Sequence, residues 1–537
     1  MRIGVDVGGT NTDAVLMNRS EVIAWTKRAT TADVSSGVAA AIGTVLEEGG
    51  VHPEAIDAVM IGTTHFANAL VERDKLDAVG ILRLASPSGE ALPPLAGWPR
   101  DLVARIGRHV FLLPGGYEVD GREIAPFDEN MVRAAVRSLR DAGVCSIAVS
   151  SAFAPINAAM EERAAAILRE EHPEASVSLS SAVGRIGFVE RENAAVLNAA
   201  LSSLAAHVIS SFEAALDKLG IHAPLYISQN DGTLISAAQA ANYPVLTIGS
   251  GPTNSMRGAA FLTGVQDAIV MDVGGTTTDI GVLAGGFPRE SSIAVDIGGV
   301  RTNFRMPDIL SIGLGGGTRV HEDAGALRVG PDSAGFRIVE EALIFGGQTL
   351  TASDVAVARG HARFGDPARV AGLGPELLEA AWSSFQAIIE DGMDRMKTAR
   401  GDATVLAVGG GNFLVPDTLK GAREVVRPHH ASVANAVGAA IAQVGAQVEQ
   451  IADYEREPRA EAIERIGAEA RERAVAAGGD PRSVHVVDVE EVFLSYLPGR
   501  TAQLRVRAVG DLASDDGRIQ AAAGKPPVSR PYASHAN

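Results

Sequence analysis

The sequence holds a single cysteine, Cys145, which excludes an intramolecular disulfide. Its setting, DAGVCSIAVSSAF, reads as a buried strand with the thiol as a small core residue. Aromatic residues make up only 4% of the chain, so alanine, valine, isoleucine and leucine must fill the core that 46% apolar content allows. Positive charge is also scarce. A formal net charge of -18 and the lack of any Lys/Arg-rich run argue against a nucleic-acid partner. No apolar run approaches the length of a membrane span. The opening MRIGVDVGG enters a strand with no signal-peptide pattern, so a soluble cytoplasmic protein without a membrane partner is expected. There is no GxxxxGK(S/T) loop, no complete GxGxxG fingerprint, no HExxH and no GxSxG, which leaves Walker-type, dinucleotide and serine-triad chemistry without support. What the chain has in quantity is glycine, 59 in 537 residues, enough for many tight turns and close backbone approaches.

Some of those glycines repeat. Residues 6–13 read DVGGTNTD and residues 272–279 read DVGGTTTD, matching at seven of eight positions. Each copy follows a short apolar stretch (RIGV, AIVM) and leads into another (AVLM, IGVL). The unit is a strand, a Gly-Gly-Thr turn and a second strand, and its recurrence implies a duplicated fold with one hairpin per lobe. Helical and strand patterns alternate between and after the copies, which indicates α/β layers on a mixed or parallel sheet. A helix is expected over 431–447 and a charged helix over 453–476. VHVVDVEEVFLSYL and TAQLRVRAV are expected to be antiparallel strands of a small C-terminal α+β subdomain. The boundaries expected are 1–190 and 191–447 for two lobes, 448–512 for the subdomain and 513–537 for a disordered tail.

The repeated motif suits polyphosphate. Paired glycines let backbone approach a ligand and present N–H groups in a concave nest. Threonine hydroxyls add neutral donors. The leading aspartate is a hard oxygen ligand for Mg²⁺. Two such hairpins facing one another would clamp a phosphate chain and its metal. A third element, VLAVGGGNFLVP, ends a strand in glycines against which a nucleotide can lie.

Two Asp-Gly-Gly-Thr hairpins, the later Gly-Gly-Gly loop and the small-residue helix ANAVGAAIA resemble the acetate and sugar kinase/Hsp70/actin superfamily. IGTTHFANALVERDK, RENAAVLNAAL, SQNDGTLIS, SGPTNSMRGAA and SIGLGGGTRV are, more narrowly, similar to the hydantoinase/oxoprolinase family. The sequence stops short of the large second half of fused oxoprolinases, so the compact, A-subunit form is the one resembled. The fold implied is two actin-like (ribonuclease H-like) α/β lobes with a central nucleotide cleft. The activity implied is ATP-dependent phosphorylation and opening of a cyclic amide or imide, with Mg²⁺. A homo-oligomer, or a complex with a hydantoinase B-like or other subunit, would fit. The alternatives are a small-molecule kinase and an ATP-driven reactivase of a partner enzyme.

By carry-over from this resemblance, Asp6, Gly8, Gly9, Thr10, Asn11 and Thr12 form the first phosphate loop. Asp272, Gly274, Gly275, Thr276, Thr277 and Thr278 form the second. Asp6 or Asp272 holds the metal or orients the attacking group, Thr10 and Thr276 assist the transfer, and Asp13 and Asp279 brace the hairpins. Gly409, Gly410, Gly411 and Asn412 border the adenosine. Thr63, Thr64, Asn68, Arg191, Gln229 and Asn230 are expected on the substrate side; for each of them local capping and turn hydrogen bonding is the competing reading. His65 stands where the family pattern has an apolar residue.

Overall fold

The computed structural model describes residues 1–31, 33–291, 295–303, 306–323, 326–494 and 500–513. Two compact units divide the chain, Met1–Ala442 and Gln443 onward.

The first unit contains the two expected actin-like lobes, each built on its own sheet of the same topology. In the first lobe Arg2–Val7 pairs antiparallel with Asn11–Asn18, placing Asp6 opposite Asp13, and that strand pairs antiparallel with Glu21–Ala29. On its other edge Arg2–Val7 runs parallel to Ala58–Thr63, which runs parallel to Leu225–Ser228. Numbered by appearance within the lobe, the order is third, second, first, fourth, fifth. In the second lobe Phe287–Pro288, Thr278–Ala284, Ala268–Val273, Ala403–Val408 and Ala422–Val426 repeat that order and every strand sense, with Asp272 opposite Asp279. The duplicated octapeptide is therefore the trace of a duplicated topology. Each central strand is buried nearly end to end, as a strand covered on both faces must be.

The first lobe reaches further than the sequence boundary at residue 190. Leu225–Ser228 and Thr233–Ser236 belong to its sheet, and Leu197, Leu216, Ile227 and Val245 share its core with Ile3 and Ile61. The second sheet begins only at Ala268. Inserted in the first lobe is a parallel sheet in the order His109–Pro114, Val79–Ser86, Ser146–Ser151, Ser176–Leu179. Cys145 lies one residue ahead of its strand and is exposed, a correction to the reading of it as a core residue.

Two helices of small residues cross beside the central strand. Ser250–Thr263 and Ala434–Ile441 meet at Gly258 and Gly438. A Cβ on Gly258 would overlap the Ala434 carbonyl, and one on Gly438 would overlap the Asn254 carbonyl. Backbone thus rests directly on backbone, a spacing that only glycine permits.

In the second unit Gln443–Asp453, Thr501–Gly510 and His485–Phe493 form an antiparallel sheet, on which the helix Arg459–Ala476 buries Ala462, Ile466, Ala470 and Ala474. The helix expected over 431–447 stops at Ile441, and Gln443–Asp453 is a strand. Its buried residues, Val444, Val448 and Ala452, recur every fourth position, which imitates helical spacing. The tail expected from 513 lies, from residue 514, outside the described residues. Among the described residues no single helix is long and apolar enough to cross a membrane.

Candidate functional site

Each hairpin turn closes on one backbone bond. The Gly8 N–H donates to the Asn11 carbonyl at 2.9 Å, and the Gly274 N–H to the Thr277 carbonyl at 2.8 Å. The next amides, Gly9 and Thr10 in one turn and Gly275 and Thr276 in the other, donate to no described group. Both pairs lie beyond the carboxyl end of a central strand, where sheets of this kind bind ligands. Thr276 and Thr277 are exposed, and Thr10 and Asn11 half-buried. Thr12 and Thr278, by contrast, turn inward: Thr12 Oγ1 is 3.3 Å from Thr30 Oγ1, and Thr278 Oγ1 donates to the Leu314 carbonyl at 2.6 Å. These two brace the turns.

The acids of both hairpins lie in one electrostatic field. Asp6 is buried, and its carboxyl is pushed up to about 7, first by burial and then by the charges of Asp13 and Asp272. Asp272 is pushed up to about 6, again mainly by burial, with Asp279 adding to the rise and a hydrogen bond from Ser255 Oγ at 2.5 Å opposing it. Burial also raises Asp13 and Asp279; Lys27 Nζ, 2.6 Å from Asp13, and a hydrogen bond from Ser311 oppose it. Asn435 Nδ2 donates to Asp6 Oδ2 at 2.9 Å, while Asp6 Oδ1 is buried without a partner.

The third glycine element joins this field. Gly409 has a φ of +84°, and a Cβ there would overlap Asp272 Oδ1. A Cβ on Gly410 would lie 3.8 Å from Lys27 Cε, which brings a first-lobe lysine to a second-lobe loop. Gly411 donates to the Val273 carbonyl at 2.8 Å, and Asn412 folds back to bond the Gly409 carbonyl at 2.7 Å. Residues 315–317 back the second turn: the Gly316 and Gly317 amides donate to the Gly274 and Gly275 carbonyls at 3.0 and 2.7 Å.

The expected substrate residues divide. Thr63 and Thr64 end the strand beside Val7, with the Thr64 N–H on the Val7 carbonyl at 3.2 Å. Asn68 Nδ2 lies 3.7 Å from the Cβ position of Gly9, so this trio adjoins the first turn. His65 Nδ1 is 2.6 Å from Thr63 Oγ1, and burial lowers its pKa, so the ring is neutral at pH 7. Asn230 is buried, with Nδ2 unpartnered. Arg191 has another part. Fully enclosed, it donates to Ser180 Oγ, to the Arg185 and Ile186 carbonyls and to the Ser151 carbonyl, tying its helix to the inserted sheet. Gln229 bonds Thr233 across its own turn. For these two, local bracing is what the geometry gives.

The donor set fits a nucleotide with a divalent cation. Asp6, Asp13 and Asp272 all feel the charge of Lys27, Asp279 adjoins Asp272, and two carboxylate oxygens, Asp6 Oδ1 and Asp13 Oδ1, have no partner. Such a site calls for added positive charge. Among the described residues no trio of His, Cys, Asp or Glu forms a metal cage. Mg²⁺ needs none, since it takes one or two carboxylates and completes its shell with water and phosphate oxygens.

Lys27, Ser255 and Asn435 complete the site and were not anticipated. The one available signal was a lone polar residue in an otherwise small and apolar helix, Asn435 in ANAVGAAI; Ser255 sits among other polar residues in SGPTNSMRGAA, and Lys27 had no signal either.

Residues 2–172 match the family model for the hydantoinase/oxoprolinase N-terminal region, and residues 191–363 match the model for hydantoinase/oxoprolinase. The chain is 28% identical over 384 residues to the caprolactamase subunit alpha of Pseudomonas jessenii, covering 67% of this chain and 54% of that one. It is 28% identical over 398 residues to the acetophenone carboxylase gamma subunit of Aromatoleum aromaticum, covering 67% and 53%. The chain thus spans about half the length of these relatives. The solved structure of the ATP-dependent caprolactamase from Pseudomonas jessenii superimposes with a TM-score of 0.75 at 22% identity, covering 100% of this chain and 90% of that one, a likeness of fold.

Proposed function

We propose, since this chain belongs to the hydantoinase/oxoprolinase family, that it is the ATP-using component of an enzyme that phosphorylates and opens a cyclic amide or imide, working with a separate partner subunit. The observation that carries the reading is the single acidic field shared by Asp6 and Asp272, residues from opposite lobes, directly under two turns with free amides.

In this reading Gly9, Thr10, Gly275 and Thr276 bind phosphate oxygens through backbone N–H groups, and Gly409–Gly411 border the adenosine. One of Asp6 and Asp272 would hold Mg²⁺, and the other orients the attacking oxygen. Lys27 tethers Asp13 and keeps the field from becoming too negative to admit a phosphate. Bound there, Mg²⁺-ATP supplies the phosphoryl group that turns an amide oxygen into a leaving group. The protein's share is positioning and charge neutralisation in an enclosed site. The names of the relatives, a lactamase subunit and a ketone carboxylase subunit, agree in acting on a carbonyl compound.

The test is ADP release by the full chain with Mg²⁺ and ATP against hydantoin, 2-pyrrolidinone, ε-caprolactam and 5-oxoproline, with and without any co-encoded subunit. At least one ring is expected to accelerate ADP release and to open in step with it. A phosphorylated ring that accumulates would make the protein a kinase. Turnover that answers only to a protein partner would make it a reactivase.

A further inference from the structure

Beside Asp6 lies a set of buried polar groups that the phosphate site does not use. Asn254, one turn into the helix Ser250–Thr263, is 0% exposed, and neither its Oδ1 nor its Nδ2 has a partner. Because both atoms are unpartnered, the result is the same whichever way the carboxamide is turned. Ser250, four residues earlier and so on the same helix face, is equally enclosed, with its hydroxyl unpartnered. Asn230 Nδ2 is a further buried donor without a partner, and its loop is tied to the helix by Thr253 Oγ1 donating to the Asn230 carbonyl at 2.9 Å. The Cβ position of Gly62 is 2.6 Å from Asn254 Nδ2 and 2.6 Å from Asp6 Oδ1, so the carboxamide adjoins the unpaired oxygen of the acid. An unmade hydrogen bond in a buried group is a standing penalty, and several together mark a place that something polar comes to fill.

The chemistry of the set selects its occupant. It offers both donors and acceptors, and the charged group it adjoins is the Asp6 carboxyl. An anion is repelled there, and an apolar group leaves every one of these atoms unmet. A neutral cis amide satisfies both atoms of the Asn254 carboxamide. We infer that Asn254 reads the substrate ring, forming two parallel hydrogen bonds with the N–H and C=O of a cis amide, so that this protein accepts lactams and imides with a free ring N–H. A ring amide is cis by constraint and presents both groups on one edge, which a side-chain carboxamide matches. A linear secondary amide is trans and cannot, and a lactone or an N-alkylated ring has lost the donor. Seated so, the amide edge of the ring lies next to Asp6, sheltered from water. The inference rests on the cyclic-amide reading given above.

The test compares ADP release and its KM for 2-pyrrolidinone, ε-caprolactam, glutarimide and hydantoin with that for the N-methylated form of each ring and for γ-butyrolactone. For the most active ring, N-methylation or replacement by the lactone is expected to lower kcat/KM by about 10⁴-fold, the scale on which a site that reads an N–H rejects an analogue without one. In Asn254→Leu and Asn254→Asp that discrimination should shrink towards 1, with melting temperature and calorimetric ADP affinity as folding controls. Equal treatment of the N–H and N-methyl rings by the native protein overturns the inference without recourse to any variant. So does undiminished discrimination in a folded Asn254 variant. If no ring at all stimulates ADP release, the cyclic-amide reading falls and this inference falls with it.

Discussion

A carboxyl group as enclosed as that of Asp6 burdens the fold before it serves any chemistry. Its pKa of about 7, and that of about 6 for Asp272, lie above the ordinary carboxylate value. Between the unfolded and folded values the native state keeps a proton that the unfolded chain gives up. Stability contributed this way is present at low pH and is lost as pH rises to about 7. The melting temperature of the Mg²⁺-free protein should therefore fall from pH 5 to pH 8. Asp6→Asn should flatten that slope and raise the melting temperature at pH 8 by about a few degrees. A melting temperature that climbs with pH in the native protein would show the acids to be compensated. The same residues must nonetheless be carboxylates to work. Asp6→Ala and Asp272→Ala should each abolish ATP turnover with circular dichroism unchanged, and full turnover in either would remove that residue from the site. These acids, and the glycines beside them, were legible because the motif occurs twice. Lys27, Ser255, Asn254 and Asn435 were not. Lys27, Asn254 and Ser255 sit among other polar residues and Asn435 alone in its helix, and only the crossing of chain segments far apart in sequence gives each a role. Arg191 shows the converse, a charged residue in a motif-like stretch that bonds the Ser180 hydroxyl and the Ser151, Arg185 and Ile186 carbonyls.

At the level of elements, the site depends on how closely two helices approach. Asn435 reaches Asp6 from the helix Ala434–Ile441, and Ser255 reaches Asp272 from Ser250–Thr263. The two helices touch through Gly258 and Gly438. Gly438→Ala or Gly258→Ala should push them apart and destabilise the protein by about 1–3 kcal/mol, as overpacking does. Both changes should also depress ATP turnover, because they withdraw the two hydrogen bonds that hold the acids. A variant that melts and turns over like the native protein would show the contact to be dispensable. The kinds of element were readable from periodicity, because central strands are short and mostly apolar while helices run longer with polar faces. Boundaries were less so. Nothing local distinguishes Leu225–Ser228 as a strand of the first lobe, since its place is set by parallel pairing with Ala58–Thr63. The strand Gln443–Asp453 buries every fourth residue and so takes on the signature of a helix.

On the scale of the whole molecule, the duplicated lobe is what makes one site out of two weak ones. A single Gly-Gly-Thr turn offers a pair of amides and one acid, a combination common to many hairpins. Two copies, one per lobe, bring the charge of Asp272 to bear on Asp6, with Lys27 beside the second-lobe loop, and in the function proposed above that arrangement takes a ligand carrying both phosphate and a divalent cation. A clamp of this kind has a consequence that a site on one lobe does not share. Adding Mg²⁺-ADP should slow amide hydrogen exchange at residues 8–12, 274–278 and 409–412 together, over the same concentration range, because one ligand touches all three. The helices Glu129–Asp141 and Ala159–Glu171 of the inserted sheet should exchange as before. Protection at one hairpin alone, or at the two with different affinities, would mean that the lobes do not share a ligand, and the reading of the acidic field as a single site would have to be given up.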